Sequence, residues 1–332
     1  MRVLIWHVHG GWMESFVRGD HDYLLPVNDR RDGWGLGRGG RDWPNAREVR
    51  SESLADEPID VVVLQRPDEL DECLRLTGRR PGHDLPAVYL EHNTPKDSVP
   101  STVHPLADQS EIPIVHVTHF NDVMWDSGRA TTRVVEHGIV DHGAGYTGER
   151  PVQAVVVNEP VRRWRVTGTD LLPAFADAGP LELYGMGCDA LPEALGMGTD
   201  RLRIGGDLPP AELRRRLGQC RLYVHPLRWT SLGLALLEAM HLALPVVVLA
   251  STEAARAVPP GAGAISTDVT ELVAAARRLL NDPEEAQRCG RVAREAALAR
   301  YGLGRFLTDW DGVLHDVVGR RPRHRKIEGG AP

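Results

Sequence analysis

The feature that most constrains this chain is an alternation of short β-branched runs with longer helical stretches, which occurs twice. In the first half the runs include Val3–Val8, Ile59–Gln65 and Ala87–Glu91, and a second series begins with Val152–Val157 and includes Arg221–His225. Such alternation is typical of parallel sheets whose strands are joined by crossover helices. A length of 332 residues suits two domains. The pattern therefore predicts an α/β protein of two Rossmann-like domains that face each other across a cleft.

The point where the pattern restarts sets the predicted domain boundaries. We expect an N-terminal domain over residues 1–150 and a C-terminal domain over residues 151–303. Residues 304–318 are predicted to form a last helix that crosses back to the first domain. Residues 319–332 contain four arginines and a lysine beside proline and glycine, and are predicted to be a disordered basic tail. Ligands of such sheets bind beyond the carboxyl ends of the strands, so the loops there are the candidate functional segments.

Charge and hydropathy exclude several classes of protein. The formal net charge of -7 argues against a nucleic-acid-binding protein. No apolar run approaches the roughly 20 residues that cross a bilayer, so we expect at most a peripheral contact with the inner face of a membrane. The four cysteines are far apart and form no C-x-x-C pair, which favours a reducing, cytoplasmic location. The histidines, concentrated before residue 150, are not predicted to share a metal site.

The most informative stretch is Arg221–Ser251, which the pattern predicts to be a strand, a loop, a buried helix and a second strand. Ser231 is a suitable N-cap for that helix, and Gly233 in its first turn lets a ligand approach the backbone. Glu238 is the one carboxylate inside the apolar helix. Because a buried carboxylate without a partner is costly, either a buried Arg or His or the hydroxyls of a ligand must satisfy it.

This stretch resembles the retaining GT-B glycosyltransferases of the family usually called GT4. The matching residues are His225-Pro226, Gly233-Leu234, Leu237-Glu238-Ala239-Met240 and Pro245-Val246-Val247. The resemblance implies that a nucleotide-diphosphate sugar binds here. It places the diphosphate at Ser231, Leu232 and Gly233, where a helix start offers amide groups and a positive dipole, and the ribose hydroxyls at Glu238. The family has a further Glu at the position of Thr230, where it contacts the donor sugar, so this chain departs from the family there.

Three other loops extend the resemblance. His9-Gly10-Gly11-Trp12 is similar to the family's glycine-rich first loop, which implies that Gly10 and Gly11 lie beside the donor phosphates; a plain tight turn is the alternative. Glu91-His92-Asn93-Thr94-Pro95 is similar to its histidine loop, which implies that His92 contacts the donor sugar near the reacting carbon; a structural histidine is the alternative. Tyr184-Gly185-Met186-Gly187 resembles the glycines near the nucleotide base and places Gly185 in the donor site.

A basic segment follows the strand Val152–Val157. At this point the family has an Arg and a Lys that neutralise the leaving diphosphate, and this chain has Thr167 at the lysine position with three arginines nearby. Arginine binds phosphate through two hydrogen bonds at once. We therefore assign the role to Arg163 first and Arg165 second. A solvated basic loop is the alternative.

One motif is a decoy. Gly35-x-Gly37-x-x-Gly40 has the spacing of a dinucleotide-binding fingerprint, but it does not follow the first strand, and charged residues and a proline interrupt the helix that should come next. We expect no NAD site here. The region is interpreted as a mobile acceptor-side loop in which Trp34 and Trp43 are available to stack on a sugar.

Taken together, the resemblance implies a glycosyltransferase that moves a sugar from a UDP- or GDP-linked donor to a hydroxyl of a glycan, lipid or small-molecule acceptor. Retention of configuration and independence of metal and cofactors are part of that implication. His92, Arg163 and Arg165 are the expected catalytic residues. Two alternatives stay open: a non-catalytic GT-B protein that binds a nucleotide or glycan, suggested by Thr230 and Thr167, and a GT-B nucleotide-sugar 2-epimerase.

Overall fold

The computed structural model describes residues 1–96 and 98–319, and the contacts divide them into two compact units. The first unit comprises Met1–Val117, Asn121–Glu136 and the described residues from Phe306 onward. The second comprises Thr118–Phe120 and His137–Arg305. The prediction of a disordered tail concerns residues that, after Gly319, lie outside the described part of the chain.

The first unit contains a seven-stranded sheet in which every pair of neighbours is parallel. Its strands are β1 (Arg2–Ile5), β2 (Asp22–Val27), β3 (Ala46–Arg50), β4 (Val61–Leu64), β5 (Ala87–Glu91), β6 (Ile114–His116) and β7 (Thr132–Val134), in the order β3-β2-β1-β4-β5-β6-β7. Its helices are α1 (Gly10–Phe16), α2 (Glu69–Thr77), α3 (His119–Met124) and α12 (Leu303–Gly319), with a 3₁₀ helix at Ser51–Asp56. The first residues of α3 and α12 belong to the second unit.

The second unit contains a six-stranded parallel sheet of order β10-β9-β8-β11-β12-β13. Its strands are β8 (Arg150–Val156), β9 (Leu181–Tyr184), β10 (Leu202–Gly206), β11 (Cys220–His225), β12 (Val246–Leu249) and β13 (Gly263–Ser266). Its helices are α4 (Pro160–Thr167), α5 (Leu172–Ala176), α6 (Leu191–Leu195), α7 (Pro210–Gln219), α8 (Leu234–His241), α9 (Ala254–Ala257), α10 (Val269–Asn281) and α11 (Pro283–Tyr301), with a 3₁₀ helix at Thr169–Leu171.

The central strands form because their side chains are covered on both faces of the sheet. Every residue of β4, β5, β11 and β12 is buried, as expected of parallel strands flanked by helices. The long helices have defined starts: Asp268 accepts a hydrogen bond from the Thr270 amide (2.7 Å) and Asp282 one from the Glu285 amide (2.8 Å). These features confirm the predicted α/β fold with two parallel sheets.

Each sheet reverses its strand order at one place. In the first unit the chain proceeds outward on one side from β1 and on the other from β4, and in the second unit the same happens at β8 and β11. Ligands of open parallel sheets bind in the crevice that such a reversal leaves at the carboxyl ends of the strands. The loops after β1, β4, β8 and β11 are therefore the candidate sites. No helix within residues 1–96 and 98–319 is long and apolar enough to cross a membrane.

Candidate functional site

The carboxyl ends of β8 and β9 are joined by close backbone packing. Gly185 has φ +123°, and a Cβ there would lie 2.3 Å from the Val157 carbonyl oxygen, so only glycine fits. The Met186 amide donates to Oδ1 of Asn158 (3.0 Å), and the Glu159 amide donates to the Met186 carbonyl (2.8 Å). Gly185, a predicted donor-binding residue, thus lies where the two strand ends meet.

The helix α8, which follows the loop after β11, begins later than predicted. The N-cap is Gly233, with extended backbone angles, and α8 starts at Leu234, so the prediction that Ser231 caps the helix is wrong. Ser231 is buried, and its carbonyl accepts a hydrogen bond from the Glu253 amide (3.4 Å). Thr230, Ser231 and Leu232 precede the helix start.

Gly233 has a packing role in addition to the one predicted for it. A Cβ at Gly233 would lie 2.6 Å from Cε1 of His225, which is almost completely buried below the loop. The imidazole of His225 approaches the Tyr223 hydroxyl at 3.5 Å from Nδ1, and burial lowers the pKa of His225 to about 4. A neutral histidine therefore supports the backbone at the start of α8.

Glu238 lies in the middle of α8, between the buried residues Leu237 and Ala239. It is partly buried, and burial raises the pKa of its carboxyl to about 7, while the positive charge of Arg214 acts in the opposite direction. The carboxylate makes no hydrogen bond or ion pair with any residue that the structure describes. Of the partners expected from the sequence, no buried Arg or His binds it in the described part of the chain.

The basic segment after β8 forms the helix α4, which carries Arg163 and Arg165 in different environments. Arg163 is partly buried, and burial, followed by the charge of Arg162, lowers the pKa of its guanidinium. Among the described residues its guanidinium has no hydrogen-bond or ion-pair partner. Arg165 is mostly exposed and forms an ion pair with Asp170 (2.7 Å). Of the two predicted arginines, only Arg163 has a guanidinium without a partner in the described chain.

Asp170 also binds the loop that follows β11. Both Nη atoms of Arg228 donate to its carboxylate, at 2.5 and 2.9 Å. Burial opposes ionisation of Asp170, but the hydrogen bond and the charge of Arg228, together with Arg165, hold its pKa below the ordinary value. The Arg228 amide donates to the Val166 carbonyl (2.9 Å). The end of α4 and the loop that leads to Thr230 are thereby tied together.

Thr167, at the position of the family lysine, has a structural role. It is buried, and its hydroxyl lies 2.9 Å from the hydroxyl of Thr169 and donates to the Trp164 carbonyl (3.1 Å). The following Gly168 has φ +70°, and a Cβ there would lie 1.9 Å from the Pro226 carbonyl oxygen. This pair therefore packs against the β11 loop instead of supplying a charge.

A short segment from the first half of the chain completes the second unit. The Phe120 amide donates to Oε2 of Glu253 (2.8 Å), and the Phe120 ring meets the Trp229 ring edge to face at 5.5 Å between centroids. Glu253 is buried and is also bound by Arg256 (2.9 Å) and Arg300 (3.4 Å). The residue before Thr230 is thus packed from the side by this segment.

In the first unit, His92 lies directly after β5 and its Nε2 is 3.0 Å from Oε1 of Gln65, the residue that follows β4. Gln65 is buried, and its Nε2 donates to the Trp6 carbonyl (2.8 Å). Its backbone amide donates to Oε2 of Glu69 (2.6 Å), whose other oxygen accepts from Arg66 (2.8 Å). The ends of β1, β4 and β5 therefore meet at His92.

The loop after β1 packs against the same imidazole. His9, the N-cap of α1, has its ring centroid 4.0 Å from that of His92, and Trp12 meets His92 edge to face at 5.4 Å. Burial lowers the pKa of His9, partly offset by the charge of Glu91. Gly10 and Gly11 form the start of α1, and a Cβ at Gly10 would lie 2.8 Å from an Nη atom of Arg41. A cation is thus adjacent to the predicted phosphate-side glycines.

Glu91 fixes the loop that carries His92 through hydrogen bonds to Asn93 and His104. Its Oε1 accepts hydrogen bonds from the amide (2.6 Å) and the side chain (3.3 Å) of Asn93, and its Oε2 lies 3.2 Å from Nε2 of His104. Nδ1 of His104 accepts from the Leu106 amide (3.1 Å), so the proton of a neutral imidazole is on Nε2 and is donated to Glu91. These bonds set the backbone path on the carboxyl side of His92.

The interpretation of Trp43 as a residue available to stack on a sugar is wrong, and one face of Trp34 is already covered. Trp43 is buried, and its indole nitrogen donates to Oε2 of Glu14 (2.9 Å). The guanidinium of Arg66 covers one face of Trp34, 3.9 Å from its centroid. Gly35 and Gly37, from the decoy motif, leave space for Asn28 and Glu48, whose atoms a Cβ would approach to 2.4 Å. The segment is built from turns against β1 and β2.

Several residues of these sites escaped sequence analysis, above all Gln65 and Asp170. Gln65 had a usable signal, since it is a polar residue at the carboxyl end of the apolar run Val61–Leu64. Asp170 aligns with the family pattern, but its ion pairs were not predicted, because its two arginines are 5 and 58 residues away in sequence. Within residues 1–96 and 98–319, no group of three or more His, Cys, Asp or Glu side chains is arranged to hold a metal ion.

Solved structures resemble this chain along nearly its whole length. Sucrose-phosphate synthase from Thermosynechococcus elongatus matches with a TM-score of 0.73 and 14% identity, covering 96% of this chain and 99% of that one. HepE from Anabaena in complex with UDP matches with a TM-score of 0.71 and 14% identity, covering 95% and 100%. A glycosyltransferase from Rickettsia africae matches with a TM-score of 0.71 and 11% identity, covering 96% and 99%. At such identities the likeness concerns the fold.

A comparison with curated protein sequences finds no match. A family model does match part of the chain: residues 193–296 correspond to Glycosyl transferases group 1. That range contains β11, α8 and β12, and with them the loop that carries Thr230 and the helix that carries Glu238. The chain thus has the GT-B glycosyltransferase fold, and its second unit contains a segment that matches the family Glycosyl transferases group 1.

Proposed function

We propose that the protein is a retaining, metal-independent glycosyltransferase that moves a sugar from a nucleotide-diphosphate sugar to an acceptor hydroxyl. The observation that carries the proposal is Glu238: a partly buried carboxylate without a protein partner in the described chain, on a helix inside the segment that matches Glycosyl transferases group 1. The two hydroxyls of a ribose donate the hydrogen bonds that such a carboxylate needs.

The second unit has the charge that a leaving diphosphate requires. The partly buried Arg163 offers a planar pair of donors, and the backbone around Ser231–Gly233 precedes the amino end of α8. In the mechanism that we propose, the acceptor hydroxyl attacks on the face from which the diphosphate leaves, and a phosphate oxygen takes its proton. The protein then acts by stabilising the growing negative charge on the diphosphate and by positioning the sugar, to which we assign His92.

We place a UDP-linked donor first. HepE from Anabaena, which shares the fold, has been solved with UDP and with UDP-glucose. Glu238 is proposed to bind the ribose, so its contacts do not distinguish one base from another. The nucleotide is therefore the first variable in the experiment.

One observation favours a second candidate, a protein that binds a nucleotide sugar without turning it over. Thr167 replaces the family lysine and is buried in hydrogen bonds to its neighbours, and Thr230 replaces the family glutamate. Both changes remove a charge from the reaction side of the site but leave Glu238 and Arg163 in place. Nucleotide binding without release of UDP from UDP-sugars would identify this candidate.

The test is a thermal-shift panel of UDP, GDP, ADP, TDP and their sugars in the presence of a chelator. We expect one nucleotide to raise the Tm of the wild type and Glu238→Ala to lose that shift, since each hydrogen bond to a charged group contributes about 1.5–3 kcal/mol. For the two ribose hydroxyls together this is about 3–6 kcal/mol, a loss in affinity of at least about 100-fold, which calorimetry can measure.

Glu295→Ala is the matched control, because Glu295 is exposed on α11. It should keep the nucleotide shift in full. A panel without any shift, or a shift that Glu238→Ala retains, contradicts the proposed donor site. Once an acceptor is found, proton NMR of the product's anomeric centre tests retention.

A further inference from the structure

Gln65 connects the ends of three strands to one imidazole. It is 4% exposed, it follows β4, and its side chain reaches the Trp6 carbonyl after β1 and the His92 ring after β5. No substrate role follows from the sequence motifs for this residue. Its contacts nevertheless determine the state of His92.

The direction of the Gln65 amide follows from its partner on β1. A carbonyl oxygen only accepts hydrogen bonds, so the Trp6 carbonyl, 2.8 Å away, must face the NH₂ group of Gln65. This leaves Oε1, an acceptor, facing Nε2 of His92 at 3.0 Å. Nε2 of His92 therefore carries a proton and donates it to Gln65.

Gln65 is held at its backbone as well. Its backbone N–H donates to Oε2 of Glu69 (2.6 Å), a fully buried carboxylate that Arg66 also binds. The His92 ring is enclosed on other sides by His9 at 4.0 Å and Trp12 at 5.4 Å. The ring plane and the proton position are thus both set by neighbours.

We propose that Gln65 is a positioning residue for His92, which it holds in the Nε2–H tautomer with one ring orientation for contact with the donor sugar. The role assigned to His92 rests on the proposed function. The tautomer and orientation of the ring rest on the hydrogen bonds alone, so the two are tested separately.

The first readout is the tautomer, measured on the protein without nucleotide. Long-range ¹H–¹⁵N correlation spectra of ¹⁵N-histidine-labelled protein report which ring nitrogen carries the proton, and loss of one signal in His92→Phe assigns His92. We expect a protonated Nε2 in the wild type and a mixture of tautomers in Gln65→Met, which has a similar length but no acceptor. Gln65→Glu, whose neutral carboxyl has an O–H for the Trp6 carbonyl and an acceptor oxygen for Nε2, should restore the Nε2–H form.

Gln109→Met is the matched control. Gln109 also bonds to the protein interior, donating to the Leu106 (2.9 Å) and Ile112 (3.0 Å) carbonyls, but its side chain makes no described hydrogen bond to His92. It should lower Tm without changing the His92 spectrum. An unprotonated Nε2 in the wild type, or the same tautomer in Gln65→Met as in the wild type, would overturn the proposal.

The second readout is release of UDP from UDP-glucose, with binding of UDP measured beside it. We expect Gln65→Met to lower kcat about tenfold through misorientation of His92, with the Kd for UDP within about twofold of the wild type. An unchanged kcat, or an equal loss in Gln109→Met, counts against a positioning role. If the wild type binds no UDP, the proposed function fails, whereas the spectra still decide the hydrogen-bond assignment.

Discussion

The polar side chains of the candidate sites in the two units differ in whether they have hydrogen-bond partners within the protein. In the first unit, Gln65 has a protein partner for every group of its amide, and through it His92 is bound to the sheet. In the second unit, the charged ends of Glu238 and Arg163 lie partly buried without a partner among the described residues. Satisfied polar networks give rigidity, and partly buried charges without partners cost stability unless a ligand supplies the missing bonds.

This difference suggests a division of roles. The first unit presents an imidazole held by its neighbours, whereas the second presents charges whose energetic cost a bound ligand would offset. A nucleotide diphosphate, with hydroxyls at one end and negative oxygens at the other, has groups complementary to a carboxylate and a guanidinium. We expect the difference to be measurable in stability, in nucleotide affinity and in the response to pH.

The largest effect is expected at Gly233, where the site in the second unit depends on packing. Gly233→Ala puts a Cβ 2.6 Å from Cε1 of His225, and we expect a loss of about 2 kcal/mol in the free energy of unfolding, measured in urea. In a His225→Ala background the same substitution should cost less than about 0.5 kcal/mol, because the crowded ring is gone.

Gly312→Ala serves as the control for this experiment. Gly312 lies inside α12, and no described atom comes within 4 Å of the position that a Cβ would occupy. Alanine should therefore stabilise the helix by about 0.5–1 kcal/mol. If Gly233→Ala is as harmless as Gly312→Ala, the packing of the loop before α8 on His225 does not contribute to stability.

The next effect compares the two arginines of α4. Arg163→Met should weaken UDP binding about tenfold, because it removes a guanidinium that has no partner in the described chain. Arg165→Met should change it less than about twofold, because Arg165 is already paired with Asp170 and is mostly exposed. Isothermal titration with UDP measures both, and a larger loss for Arg165→Met would reverse the assignment.

The smallest effect is a dependence of binding on pH. With the pKa of Glu238 raised to about 7, its carboxylate is mostly protonated at about pH 6 and mostly ionised at about pH 8. Only the ionised form accepts both ribose hydroxyls, so we expect UDP affinity to rise about fivefold across this range. The rise should be absent in Glu238→Gln, and an equal rise in that variant would assign the dependence to another group.

The Glu238 carboxyl also makes the stability of the nucleotide-free protein depend on pH, and this dependence is opposite in sign to that of UDP affinity. Its pKa is higher in the folded chain than the ordinary 4.5, so between these values the folded state binds more protons than the unfolded state. The free energy of unfolding should therefore fall as pH rises through this window. In the absence of nucleotide, the Tm of Glu238→Gln minus that of the wild type should therefore increase as pH rises to about 8.

The sequence predicted the buried elements well and the edges poorly. Ala87–Glu91 was located at the residues where the structure has it, because it is a nearly continuous apolar run. The strand Ala46–Arg50 was missed because it lies at an edge and three of its five residues are charged. Gly263–Ser266 was missed because it is a half-exposed edge strand containing glycine. Hydrophobic periodicity indicates which residues are buried, and these edge strands are too exposed to show a clear pattern.

The site was predicted as far as motifs determine it. The loop and helix around Glu238 were found because a lone carboxylate in an apolar helix is visible in the sequence. The start of that helix was misplaced, since neither the extended backbone at Gly233 nor its close packing on His225 is visible in the sequence. The distinction between Arg163 and Arg165 depends on Asp170 and Arg228, which only the fold brings together.

The path of α12 has a consequence for how the protein is made. Phe306 and Trp310 lie against Trp12, and Trp310 against Phe16, with ring centroids 5.0–5.9 Å apart, so the covering of α1 comes from the other end of the chain. On the ribosome, the first unit keeps these aromatic surfaces uncovered until nearly all of the second unit has been synthesised. The first unit therefore completes its core only after the second unit has been synthesised, and a fragment that stops at residue 136 would expose an apolar face that chaperones bind.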